Sequence, residues 1–185
     1  LTEIGFGGLN EYLSLEQVFS SSPGFRYVGL DWTQNFVDSA RRRFPERTWE
    51  RCDITQYVTN ETLRSDLAYS QHVLEHLTGL EPALSNLLFL AKKALINIFF
   101  LPPRKDDEVI NFAQYPLYHN FYSAKHIKKV CERHRFDAKM IWVNNRQLEN
   151  FGKGLPPDEV VLIALRKEEG DSSPVSFHYD AFPDL

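Results

Sequence analysis

The sequence predicts a doubly wound α/β domain: a seven-stranded, mostly parallel sheet with helices on both faces and a terminal antiparallel strand pair. Three observations predict it. Short apolar runs alternate with stretches of helical periodicity along most of the chain. Glycines or aspartates stand at the ends of the early runs, where sheets of this kind bind ligands. The last two runs, Phe136–Asn144 and Glu159–Arg166, have no helical stretch between them, so they are expected to pair antiparallel.

Each element has its own signal. Leu1–Ile4 reads as a buried strand that runs into the glycine turn Gly5–Gly8. Asn10–Ser20 spaces Tyr12, Leu13, Leu15, Val18 and Phe19 as a helix does, and the cluster Ser20-Ser21-Ser22-Pro23-Gly24 turns the chain. Phe25–Asp31 is a second strand ended by an acid. Thr33 is positioned to cap a helix over Gln34–Phe44, whose Phe36, Val37, Ala40 and Phe44 share a face. Thr48–Arg51 is a short third strand, and Asp53–Arg64 a polar loop with a helical turn. Asp66–Ser70 is the fourth strand; a helix over Leu80–Ala91 places Leu84, Leu87, Leu88 and Ala91 on one side. Ala94–Leu101 is the fifth strand, stopped by Pro102-Pro103. Residues 104–122 form a long connection rich in Tyr, Phe and His, and Ser123 caps a helix reaching His134. A single domain over residues 1–167 is expected, with 168–185 as a tail or flap. A domain rarely opens inside its first core strand, so further residues are expected ahead of Leu1.

Bulk properties narrow the partners. The chain has 185 residues and a net charge of −4, with 43% hydrophobic and 25% charged residues. Its strongest basic run, Arg41-Arg42-Arg43, falls on a predicted helix and reads as a solvated face. Nucleic acid is therefore not an expected partner. Two cysteines, Cys52 and Cys131, lack metal-ligand spacing and read as reduced thiols of a cytoplasmic protein. No signal peptide and no apolar run near the length of a membrane span is seen, so no membrane is expected. Oligomeric state is left open.

The chemistry gathers at strand ends. The glycines at 5, 7 and 8 let a ligand approach the backbone. Asp31, some 20-odd residues on, is placed to accept hydrogen bonds from ribose hydroxyls. Asp53 is placed to accept from an adenine amino group, with Trp32 and Ile54 as apolar surfaces for the ring. Each aspartate alone is more often a turn or cap residue; the ordered set carries the argument. Glu3 lies poorly for an anionic pyrophosphate and suits a ligand with a cationic group. That points to S-adenosylmethionine rather than NAD.

These pieces resemble a family. Glu3-Ile4-Gly5-Phe6-Gly7-Gly8, Gly29-Leu30-Asp31-Trp32, Cys52-Asp53-Ile54 and the segment Asp66–Leu77 together look like class I S-adenosylmethionine-dependent methyltransferases, over roughly residues 1–166. The resemblance implies a Rossmann-like fold and methyl transfer to an acceptor, more readily a small molecule than a macromolecule. It implies that Glu3, Gly5 and Gly7, with Phe6 and Gly8 in the same turn, line the aminoacyl end of the cofactor. Asp31 would hold ribose, and Asp53 with Ile54 the adenine. Ser70, Gln71 and His72 would stand beside the methyl group. The family often has a third alternate glycine where this chain has Leu9; Gly8 is the candidate to serve instead.

Methyl transfer needs a base only when the acceptor must lose a proton. His72, His76, His119 and Tyr122 are the candidates, His72 foremost; each is also read as a residue that merely packs or orients. Tyr115 and Tyr118 could join His119 and Tyr122 in an aromatic wall over the acceptor. Three alternatives stay open. The domain could bind cofactor without catalysis, as part of a larger assembly. It could be an NAD-dependent oxidoreductase, although Asn10 replaces the final glycine of that fingerprint. His72-Val73-Leu74-Glu75-His76 also fits a zinc peptidase pattern, if it is helical. No metal is expected.

Overall fold

The computed structural model describes residues 1–19, 21–110, 112–114, 117–144 and 158–168. Its main sheet is built from β1 (Thr2–Ile4), β2 (Val28–Asp31), β3 (Thr48–Arg51), β4 (Ser65–Gln71), β5 (Ala91–Phe99), β8 (Phe136–Asn144) and β9 (Asp158–Arg166). The strand order is β3-β2-β1-β4-β5-β9-β8. Strands β3 to β5 pair in parallel, whereas β9 runs antiparallel to both β5 and β8. The expected seven-stranded sheet with its terminal antiparallel pair is therefore what forms.

Alternating side chains divide the core in two. Val28 and Leu30 of β2 join Ile4, Ala68, Leu95 and Leu162 in the larger cluster, together with α3 (Leu80–Leu90) and α4 (Ala124–Arg133). Gly29 faces the other way. A Cβ there would meet the Trp49 ring at 2.4 Å, so the smaller cluster needs a glycine at this point. That cluster holds Phe6, Leu9, Tyr27 and Trp49, with Tyr12 of α1 (Asn10–Phe19) and Val37 and Ala40 of α2 (Gln34–Arg43). Helices thus lie on both faces. On the α1–α2 side, Ile141, Val143 and Leu165 of the antiparallel pair are exposed among the described residues.

Several element boundaries differ from expectation. Strand β5 begins at Ala91, immediately after α3, so Ala91 is a strand residue rather than the last apolar position of the helix. Lys92 and Lys93 hid this start, because an edge of exposed lysines breaks the apolar run. Strand β2 begins at Val28 rather than Phe25. The connection 104–122 contains a small hairpin, β6 (Phe112–Gln114) and β7 (Leu117–Tyr118). Thr33 makes no side-chain cap; Asp31 Oδ1 accepts from Thr33 N at 2.8 Å instead. Phe36 leaves the helix's core face and is 43% exposed. Ser123 does cap its helix, Oγ accepting from His126 N at 3.2 Å. Arg41 of the basic run turns back to donate to the Trp49 carbonyl and to pair with Glu50.

Candidate functional site

The sheet reverses its order between β1 and β4, and the carboxyl ends of β2, β1 and β4 open there onto a cavity of about 490 Å³. Ile4 and Gly5 come from β1 and its turn, Asp31 and Trp32 from the end of β2. Cys52, Asp53, Ile54 and Thr55 follow β3, and His72 and Val73 follow β4. His76, Leu77, Thr78, Phe36 and Tyr118 complete much of the wall.

Backbone geometry explains the glycine turn. Gly5 has φ +76° and Gly7 φ +46°. A Cβ on Gly5 would fall 2.3 Å from Val73 Cγ2, so the turn after β1 and the bend after β4 touch only because residue 5 is glycine. Gly8 does not take over the missing third glycine. Leu9 itself adopts φ +72°, the backbone a glycine would supply, and sinks its side chain into the smaller core cluster.

Asp31 ties this turn to β2. Its Oδ2 accepts from Gly7 N at 3.1 Å and its Oδ1 from Thr33 N at 2.8 Å, and it is buried. Each carboxylate oxygen keeps lone-pair capacity for a ligand hydroxyl in the cavity that Asp31 lines. Asp53 folds the next loop, Oδ1 accepting from Thr55 N and Thr55 Oγ1. That loop is held from below by Asn86 of α3. Its Nδ2 donates to the carbonyls of Ile54 and Gln56, and its Oδ1 accepts from Val58 N. Nothing in the sequence marks Asn86, which reads as one polar position on an apolar helix.

Other expected cofactor residues stand apart from the cavity. Glu3 does not line it: the carboxylate is buried and accepts from Tyr27 Oη. Burial raises its pKa to about 7, against the opposing pull of that hydrogen bond. Strand alternation is the reason, since Ile4 takes the cavity side of β1 and Glu3 the other. Phe6 is packed edge-on against Trp49, ring centroids 4.9 Å apart. Gly7 contributes through Asp31, and Gly8 is exposed. Ser70 is fully buried beside Asn97, its partner in β5, and Gln71 accepts from Tyr69 Oη; neither lines the cavity.

The four catalytic candidates separate. His72 and His76 line the cavity. His72 has φ +55°, and its Nε2 lies 2.7 Å from Glu159 Oε1 at the start of β9. His76 Nδ1 lies 2.8 Å from the Tyr118 carbonyl. A carbonyl only accepts, so Nδ1 carries the proton and Nε2 the lone pair. Burial, aided by His119 and His72, lowers the pKa of His76 against the pull of that carbonyl. His119 stands at the rim, exposed, its ring 5.4 Å from His76 and 5.8 Å from Phe100. Tyr122 belongs to the core instead: it is 1% exposed, its hydroxyl donates to the Leu74 carbonyl, and burial lifts its pKa to about 12. Tyr115 of the proposed aromatic wall lies outside the described residues.

The zinc-peptidase pattern does not survive this geometry. The segment is a bend followed by a single 3-10 turn over Leu74–His76. Glu75 is fully buried and accepts from Phe100 N at 2.6 Å and Leu101 N at 3.4 Å, so it clamps the end of β5 rather than facing the cavity.

Comparison with known proteins agrees with this fold. The family model described as a methyltransferase domain matches residues 2–93, which span β1 through the start of β5. This match is consistent with the class I S-adenosylmethionine-dependent methyltransferase family. Among solved structures, it is similar to magnesium protoporphyrin IX methyltransferase from Synechocystis with bound S-adenosylhomocysteine. Identity there is 17% and the TM-score 0.60, over 90% of this chain and 73% of that one. It is similar to the methyltransferase domain of the citrinin polyketide synthase, at 13% identity and TM-score 0.62. It covers 90% of this chain but spans only 46% of that one. The cyclase SpnF shares the fold at 13% identity and TM-score 0.63, over 89% of this chain and 74% of that one. No curated protein sequence matches the chain.

Proposed function

We propose that the chain binds S-adenosylmethionine in the cavity above β2, β1 and β4 and transfers its methyl group to a small-molecule acceptor. The observation that carries this reading is the charge of the wall. Two carboxylates, Asp31 and Asp53, line it together with apolar Trp32, Phe36 and Ile54, and no Lys or Arg does among the described residues. Such a wall suits ribose hydroxyls, an adenine ring and a cationic sulfonium. It offers a pyrophosphate no counter-charge, which speaks against NAD. A volume near 490 Å³ lies in the usual range for cofactor sites.

In this reading Asp31 accepts from the ribose, Asp53 from the adenine amino group, and Trp32 and Ile54 flank the ring. The glycine turn takes the methionine end through its backbone, with Glu3 supporting from behind rather than touching. The bound sulfonium supplies a methyl carbon with a good leaving group already attached. The protein's part is to align the acceptor with that carbon and to keep water out. A purely cofactor-binding domain would have no need of cavity histidines with fixed ring nitrogens, which favours catalysis. Two free thiols, Cys52 and Cys131, support a reducing compartment such as the cytoplasm. No helix among the described residues is long and apolar enough to cross a membrane. The described sheet supports one domain over residues 1–167.

Titration calorimetry with S-adenosylhomocysteine and with NAD tests the reading. Binding of the first and not the second is expected. Asp31→Ala should weaken S-adenosylhomocysteine by about 1–3 kcal/mol, since a buried acceptor is lost and the Gly7 turn is freed. Binding of NAD alone, or an affinity indifferent to Asp31, would overturn it.

A further inference from the structure

We propose that Glu159 is the positioning residue of a His72–Glu159 pair, and that His72 Nδ1 is the base that takes a proton from a neutral phenolic or enolic hydroxyl acceptor. The inference rests on the methyltransferase reading and names the acceptor class for the same cavity.

The pair is assembled across the sheet. His72 follows β4 and Glu159 opens β9, with the end of β5 between them in the strand order and 87 residues between them in the chain. His72 Nε2 and Glu159 Oε1 are 2.7 Å apart, and both side chains are about a quarter exposed. A carboxylate only accepts, so the shared proton sits on Nε2 and Nδ1 keeps its lone pair. Backbone and ring are both held. The backbone is fixed at φ +55°, its amide N–H donates to the Ile98 carbonyl at 2.9 Å, and Phe100 packs edge-on against the ring at 5.4 Å.

The position fits the transfer step. Ribose and adenine belong over β2 and β3, and the glycine turn over β1. The reactive end therefore falls on the β4 side, where His72 adjoins Val73, which touches Gly5. His76, held by the Tyr118 carbonyl, also lines the cavity, but among the described residues no carboxylate hydrogen-bonds to its ring. Glu159 Oε1, 2.7 Å from Nε2, fixes the His72 ring and its tautomer.

The wall also selects the acceptor. With no cationic side chain among the described lining residues, a carboxylate or phosphate acceptor would enter without a partner. Leu77, Val73 and Tyr118 offer apolar and aromatic contact to a flat, neutral ring. A phenolic hydroxyl ionises in water at a pKa of about 10, as tyrosine does, so a base must remove its proton as it reacts. In the balanced step the hydroxyl proton moves to His72 Nδ1 and the oxygen–methyl bond forms. The sulfur–methyl bond breaks with its electron pair left on sulfur. The imidazolium, steadied by Glu159, then returns the proton to solvent.

Two measurements on the whole chain test this. Long-range proton–nitrogen correlation on histidine-labelled protein with S-adenosylhomocysteine at pH 8 should show His72 with its proton on Nε2. The resonance is assigned by its loss in His72→Asn, because asparagine tolerates the left-handed backbone. Glu159→Gln should disturb that tautomer while leaving S-adenosylhomocysteine affinity within about twofold, and Glu159→Asp should restore part of it. A proton on Nδ1, or a spectrum indifferent to Glu159→Gln, overturns the pair. Turnover is then measured with S-adenosylmethionine and catechol, resorcinol or 4-hydroxyacetophenone, with benzoate and benzylamine as controls. Hydroxyl methylation reduced about 10²-fold or more by His72→Asn, and about tenfold or more by Glu159→Gln, supports the assignment. Turnover of the controls alone, or of none while S-adenosylhomocysteine binds, overturns the acceptor class. Failure of S-adenosylhomocysteine to bind at all would instead sink the methyltransferase reading.

Discussion

Leu9 pulls in two directions. Its backbone at φ +72° lies where a side chain is costly, about 1–2 kcal/mol for a residue other than glycine. Its side chain is only 2% exposed and packs with Phe6, Tyr12 and Trp49. Truncating a buried leucine costs about 2–5 kcal/mol. Burial wins, so Leu9→Gly should lower the free energy of unfolding by about 1–3 kcal/mol in urea titration. A more stable variant would show that strain dominates. Residues of this kind set the limit of sequence reading. Gly5, Asp31 and Asp53 were legible as cavity-lining residues because each lies close to its own strand end. Leu9's left-handed backbone was not, because leucine gives no sign of it. Glu3 was misread because its direction depends on which face of β1 the cavity occupies. Glu159 was invisible, since its meaning comes from a residue 87 positions away.

At the level of elements, the loop after β3 shows how a helix shapes a site it does not enter. Asn86 of α3 grips that loop with three hydrogen bonds to backbone groups of Ile54, Gln56 and Val58. Asn86→Leu should therefore cost about 1–3 kcal/mol of stability and weaken S-adenosylhomocysteine by letting Ile54 move. Parallel chemical denaturation and calorimetry would check it; a loss of stability with unchanged affinity would confine Asn86 to the core. Element type was read correctly along most of the chain because strand and helix periods differ. Boundaries failed where composition and burial disagree. Lys92 and Lys93 are strand residues exposed near the start of β5, and Phe36 is an aromatic that faces the cavity rather than the core. The β6–β7 hairpin was missed because its strands hold only three and two residues.

For the whole molecule, two buried carboxylates set how stability follows pH. Burial raises Glu3 and Glu75 to about 7 each, partly opposed by the Tyr27 hydroxyl on Glu3 and by backbone N–H groups on Glu75. Between the unfolded value of 4.5 and about 7 the folded chain holds more protons than the unfolded chain. This contribution is complete below the lower value and is lost as pH rises through the upper one. Each group contributes on the order of 3 kcal/mol. His76 and His134, lowered chiefly by burial, act oppositely and remove stability as pH falls below 6.5. The carboxylates outweigh them, so the urea midpoint should be higher at pH 5.5 than at pH 8, and Glu75→Gln should flatten that difference. A midpoint that rises with pH would contradict the burial of these acids.

The uneven placement of the tryptophans turns the molecule into its own optical gauge. Trp49 is 2% exposed and enclosed by aromatic rings, so its emission follows the integrity of the fold. Trp32 is 62% exposed at the cavity wall, beside the loop that carries Asp53 and Ile54. A purine entering there covers an indole that water now surrounds. On the proposed function, occupancy of the site should therefore register in the Trp32 emission of the chain, with no label attached.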